Sequence, residues 1–146
     1  MKFILKIIIL TMFLAFSCSQ EKTEIDPEAT SLIIESSNIY SIDDLVNVGW
    51  KKDREFDNAE YPETENIAYG FFQRKDIEAW VYRSADDAKK YGVEYGEQAV
   101  NKKPGQTDYL IPRVNRYHAY VIVGNLMLLC ETEILDCQKL IDKLPE

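Results

Sequence analysis

Residues 116–131, RYHAYVIVGNLMLLCE, set two apolar runs on either side of Gly124-Asn125. A two-residue Gly-Asn link is a strong hairpin signal, because its backbone twist matches that of adjacent antiparallel strands. With a link of that length, register follows by counting: Val123 opposes Leu126, Val121 opposes Leu128, and Ala119 opposes Cys130. Side chains alternate across a sheet, so those six share one face. His118, Tyr120, Ile122, Met127, Leu129 and Glu131 share the other.

A second hairpin is expected over 66–73 and 76–83, two aromatic and aliphatic runs split by Arg74-Lys75. In that register Phe72, Gly70 and Ala68 pair with Ile77, Ala79 and Val81. The opposite face then carries Ile67, Tyr69, Phe71, Glu78, Trp80 and Tyr82. Each hairpin therefore has a small, aliphatic face and a large, aromatic one.

Helical signals follow both hairpins. Ser84 is placed to cap a helix over 85–100, with Asp86 and Asp87 in its first turn. Ala85, Ala88, Gly92, Tyr95 and Ala99 recur at helical spacing as a narrow stripe of mostly small residues. The last helix is expected over 133–144. Earlier, Ser41-Ile-Asp-Asp44 opens a short helix with Asp44 near the capping-box position, and Gly49 ends it. Residues 50–65, WKKDREFDNAEYPETE, read as a charged loop, and 101–115, with two prolines, as a long connection. Asp53, Glu55 and Asp57 have the opening spacing of a calcium loop. Asn58 stands where such a loop needs glycine, and Thr64 where it needs a bidentate glutamate.

The expected fold is α+β: a four-stranded antiparallel sheet built from two hairpin–helix units, with helices on one face. Cys130 on the aliphatic face and Cys137 on the last helix form a candidate disulfide, which would lay that helix on that face; free thiols are the alternative. The small-residue stripe of the middle helix also suits the aliphatic face. Tyr69, Phe71, Trp80, Tyr82, His118, Tyr120 and Met127 would then face away from both helices. A one-sided antiparallel sheet ordinarily shows polar residues on its wet face. Full burial of side chains this size stabilises by roughly 1.5–3 kcal/mol each, so something should cover them. Residues 31–65 folding across the sheet, a partner protein (a second copy or another envelope protein), or an apolar small ligand would each serve.

The first residues, MKFILKIIILTMFLAFSCSQ, are unlike the rest. Lys2 and Lys6 precede an apolar run from Ile7 to Phe16, the length of a signal-peptide core and too short to span a membrane. Small residues Ala15 and Ser17 sit three and one before Cys18. This arrangement resembles the lipobox of bacterial lipoproteins, departing from it at Phe16. The resemblance covers residues 1–20 and implies cleavage after Ser17, a lipid on Cys18 and export to the envelope. Plain secretion with the same cleavage is the alternative. Residues 18–30 then form the lipidated cysteine and a flexible tether, and 31–146 a single domain. Ser19, rather than Asp, after Cys18 resembles the sorting signal of outer-membrane lipoproteins.

The chain carries 17 basic and 25 acidic residues, a net charge of −8. Removing 1–17 takes away Lys2 and Lys6 and leaves 15 basic against 25 acidic, net −10. That balance argues against nucleic acid, and against adhesion to anionic lipid through a basic patch. Membrane attachment would come from the N-terminal lipid anchor.

No nucleotide-binding, nucleophile-elbow or zinc-protease motif is present, and nothing calls for a cofactor or a metal. His118, the single histidine, stands near Tyr120 and Glu131 and could act as a carboxylate-oriented base in a small hydrolase or transferase. The reading favoured by the pattern is a non-enzymatic envelope lipoprotein that binds a partner protein or small ligand through its aromatic sheet face.

Overall fold

The computed structural model describes residues 26, 28–101 and 116–145. The signal segment 1–17, Cys18, residues 19–25 and 27 of the tether, and the connection 102–115 lie outside the described residues.

The fold is α+β around one mixed sheet of six strands in the order β1-β5-β6-β4-β3-β2. The strands are β1 (Ser31–Ile34), β2 (Lys51–Phe56), β3 (Thr64–Phe72), β4 (Lys75–Tyr82), β5 (Ala119–Val123) and β6 (Leu126–Cys130). Among the described residues only β1 pairs in parallel, with β5. The four central strands are the expected antiparallel hairpins, joined through β4 and β6. The sheet is wider than expected because segments on both sides of the helix at Ser41 add edge strands.

The Gly124-Asn125 hairpin has the register counted from its turn. Gly124 has φ +54°, and a Cβ there would stand 2.2 Å from the Asn38 carbonyl oxygen, so glycine is required. Asn125 is fully buried. Its side-chain amide donates to the carbonyls of Tyr40 and Tyr82, and its oxygen accepts from the Tyr40 amide. The turn thereby ties β5–β6 to the end of β4 and to the chain entering the first helix.

The β3–β4 turn falls at Gln73-Arg74, one residue earlier than expected. Both residues are left-handed, at φ +49° and +67°. Phe72 therefore meets Lys75, and Gly70 meets Ile77. Pairing slides by two residues, and because the pleat also has period two, every side chain keeps its expected face.

Residues 51–56 form an edge strand rather than a loop. All six are exposed, so no alternation of burial marks them. Their backbone pairs with β3 through a bulge between Lys52 and Arg54. Charged side chains and a bulge are what keep an edge from recruiting further strands.

Helix α1 (Ile42–Asn47) has the capping box read from Ser41 and Asp44. The bonds from Ser41 hold the Asp44 carboxyl below the usual carboxylate range. Gly49, at φ +105°, follows its end. Helix α2 runs over 85–100, with Ser84 accepting from the Asp87 amide and a π-turn at Ala88–Gly92. Helix α3 (Ile134–Ile141) closes the chain and is clasped to β6 by the Cys130–Cys137 disulfide, Cα–Cα 5.7 Å.

The helices lie on both faces, which corrects the one-sided arrangement. α1 and α3 cover the aliphatic face, where Leu45, Cys137 and Leu140 join Ala79, Val121, Leu128 and Cys130. α2 covers the aromatic face instead, where Ala88 packs with Trp80, Tyr82, Tyr120, Ile122 and Met127. The reason is volume. A Cβ on Gly96 would stand 2.6 Å from the Tyr120 ring, and one on Gly92 3.1 Å from Met127 Cβ. Small helix residues make room for large sheet residues; they do not pair with small ones.

Candidate functional site

The sheet face expected to be open is therefore largely core. Tyr82 and Met127 are fully buried, Tyr120 nearly so, and Trp80 is 8% exposed. Their cover is α2, joined by Tyr61, whose ring packs edge-on against Trp80 at 4.8 Å and Tyr95 at 5.0 Å. Of residues 31–65, Tyr61 packs on this face, while β1 and β2 extend the sheet and α1 and Trp50 pack on the other side.

α2 packs over β4, β6 and β5. Over β2 and β3 the same face is organised differently. Cross-strand pairs put Lys51 beside Phe71, Arg54 beside Tyr69 and Phe56 beside Ile67. Phe56 and Phe71 are 39% and 37% exposed. Two guanidinium groups lie over the Tyr69 ring, Arg54 at 5.4 Å and Arg116 at 4.9 Å from its centre. Phe71 meets the Tyr69 ring edge-on at 5.1 Å. The Tyr69 hydroxyl donates to Asp76 at 3.0 Å, and Arg116 lies 3.7 Å from the same carboxylate. Burial, then the Asp76 carboxylate, raises the Tyr69 pKa, so the phenol stays neutral and a donor at ordinary pH.

This strip of stacked cations and rings is the candidate site: Arg54, Phe56, Tyr69, Phe71 and Arg116. Guanidinium over a ring face is favourable, and a partly exposed ring beside it offers an apolar contact. Of the residues singled out from sequence, Tyr69 and Phe71 belong to it. Arg54 and Phe56 were hidden by reading 50–65 as a loop; their two-residue spacing, the period of a strand, was the available signal.

His118 is exposed. Its Nδ1 lies 2.7 Å from the backbone carbonyl of Glu131, while the Glu131 carboxylate accepts the Asp76 amide at 2.8 Å. The Tyr69 hydroxyl is spent on Asp76. The three groups of the hydrolase reading are thus neighbours with no hydrogen bond between histidine and carboxylate. Beneath them, Glu78 accepts from both the Tyr117 hydroxyl at 3.0 Å and the Trp80 indole at 2.8 Å. Burial first, then Glu78, pushes the Tyr117 phenol well above its ordinary pKa. Among the described residues no group of three His, Cys, Asp or Glu side chains is placed to hold a metal ion.

Residues 41–107 match a family of unknown function (DUF6810). No curated protein and no solved structure matches the chain. The matched stretch begins at the Ser41 cap and takes in α1, the β2–β3–β4 meander and α2. It therefore includes Arg54, Phe56, Tyr69 and Phe71, and excludes the β5–β6 hairpin and the disulfide.

Proposed function

We propose that this protein is an exported envelope lipoprotein, anchored through a lipid on Cys18, whose domain is a non-enzymatic binding module. The partner surface is the part of the aromatic face over β2 and β3, not the face as a whole. One observation carries this reading: with most of that face filled by α2, Phe56 and Phe71 still stand exposed on the strands that hold a tyrosine ring contacted by two arginines. Exposed aromatic groups interleaved with arginine are the composition favoured at the centres of protein interfaces. The partner is a protein of the envelope, the outer membrane being the compartment that Ser19 favours.

The test is a photo-reactive amino acid at position 56 or 71, introduced in intact cells. A discrete cross-linked species, lost when Arg54→Glu is added, is the expected result. Its mass separates a second copy from another envelope protein. Unlinked chain alone at both positions would sink the surface, and a small-molecule adduct in native mass spectra would reassign it to a ligand. Independently, intact mass of the extracted protein should show the diacylglyceryl group and its loss in Cys18→Ala.

A further inference from the structure

The strand registers place several chain segments at one end of the sheet. Ser31 lies beside Tyr120, Ala119 faces Cys130, Cys130 faces Ile77, and Lys75 faces Phe72. The start of β1, where chain from Cys18 enters the domain, is therefore at the same end as the Gln73-Arg74 turn and the first residue of β2. About four or five strand spacings separate them, roughly 20–24 Å across the sheet. Thirteen residue steps separate Cys18 from Ser31, at most about 45 Å of chain. A lipid on Cys18 would thus keep this end of the domain close to the bilayer.

The cations at this end fall into two groups. Lys52 pairs with Glu55, Arg54 with Asp53, Lys75 with Glu131, and Arg116 with Asp76. Among the described residues Lys51 and Arg74 have no carboxylate partner. Both line one open groove of about 410 Å³, together with Gly49, Phe71 and Gln73. Among the described residues no acidic side chain lines it. Gln73 and Arg74 hold the left-handed backbone that a two-residue hairpin turn requires, which glycine or asparagine adopts at lower cost.

The net charge of the chain hides this local arrangement. Asp43, Asp57, Glu63, Asp86 and Asp87 lie toward the opposite end, by the start of α1, the close of β2 and the start of α2. Carboxylates stand at the tether end too: Asp53 pairs with Arg54, Asp76 with Arg116, and Glu131 and Asp136 with Lys75, which leaves the two groove cations unmatched among the described residues.

We infer that the groove between Lys51 and Arg74 seats the phosphate of an anionic membrane phospholipid, with Phe71 as its apolar wall, and holds the domain down on the bilayer. This rests on the anchor reading given above. Arginine and lysine suit a phosphate, the attraction is strongest close to an anionic surface, and a weak basic site adds to a lipid anchor.

The experiment uses the mature lipidated chain in phosphatidylcholine vesicles with and without phosphatidylglycerol, reading amide hydrogen exchange over 70–76. The expected result is exchange several-fold slower with phosphatidylglycerol, reversed by high salt. Arg74→Gly relieves the turn and keeps the fold, and it should return exchange to the phosphatidylcholine level; Lys51→Gln should do the same. Equal exchange in the two vesicles, or unchanged protection in Arg74→Gly, overturns the proposal. Protection by millimolar inorganic phosphate without vesicles would make free phosphate the ligand and overturn the lipid assignment. Intact mass lacking the diacylglyceryl group overturns the anchor alone, and the same vesicles then judge the groove with unanchored chain.

Discussion

On the aliphatic face, Ala79, Val121 and Leu128 meet Leu45 and Leu140, and a disulfide clasps α3 to β6. On the aromatic face, the rings under and beside α2 carry polar tips, and most of those tips reach a carboxylate. Trp80 and Tyr117 share Glu78, and Tyr120 donates to Glu97 on α2 itself. One face is closed by hydrocarbon and a covalent bond, the other by aromatic burial that works only while its hydroxyls stay protonated. The difference teaches where each half is vulnerable, and it can be tested one face at a time.

Alkali should produce the largest effect, and on the aromatic face. Burial and the bond to Glu97 push Tyr120 up to about 12, and Tyr82 and Tyr117 are raised further, burial being the first cause in each. A raised phenol pKa means that the folded chain holds a proton the unfolded chain releases near pH 10. The stabilisation is complete below pH 10 and drains as pH rises through the folded values. Each of the three tyrosines contributes a slope of about 1.4 kcal/mol per pH unit above 10. Spectroscopic titration should show these phenols ionising together with loss of far-ultraviolet circular dichroism. Ionisation near pH 10 with the fold intact would erase the contrast between the faces.

Reduction should act on the other face and by less. The disulfide closes a short loop of sequence separation 7, for which the chain-entropy estimate is about 2–3 kcal/mol. Cys130→Ala with Cys137→Ala should lower the urea midpoint accordingly. α3 should loosen while the tyrosine absorbance of the aromatic face stays unchanged at neutral pH. If that signal moves with the disulfide, the two faces are one cooperative layer and the distinction is only chemical.

How much of this was legible in the sequence follows the same division. The Gly124-Asn125 hairpin was readable because its turn chemistry fixes register and its alternation fixes faces. Gln73-Arg74 has no such chemistry, so the first hairpin was placed two residues out of register with the faces still right. β2 escaped because an edge strand is selected by backbone pairing, leaving Lys51–Phe56 no buried side to betray it. The side taken by α2 was misjudged because its glycines were matched to small partners, when Gly96 is shaped around Tyr120. That one choice made Trp80, Tyr82, Tyr120 and Met127 look like a surface. What remained of the site, Tyr69 and Phe71, was visible; the arginines that grip Tyr69 come from the unread strand and from the segment leading to β5.

The finest test lies inside the aromatic face. The Tyr117 hydroxyl donates to Glu78, whereas the Tyr82 hydroxyl, fully buried, meets no hydrogen-bonding partner among the described residues. A bond to a charged acceptor contributes about 1.5–3 kcal/mol, so Tyr117→Phe should lose stability in that range. An unbonded buried hydroxyl has already lost its water without compensation, so Tyr82→Phe should be neutral or raise stability by up to about 1 kcal/mol. Urea unfolding at neutral pH measures both. A Tyr82→Phe loss as large as that of Tyr117→Phe would mean that water or another polar group occupies the space beside Glu63, Tyr82 and Tyr95. The core under α2 would then be a hydrated site, and the sharpest contrast with the aliphatic face would be solvent, not the chemistry of its rings.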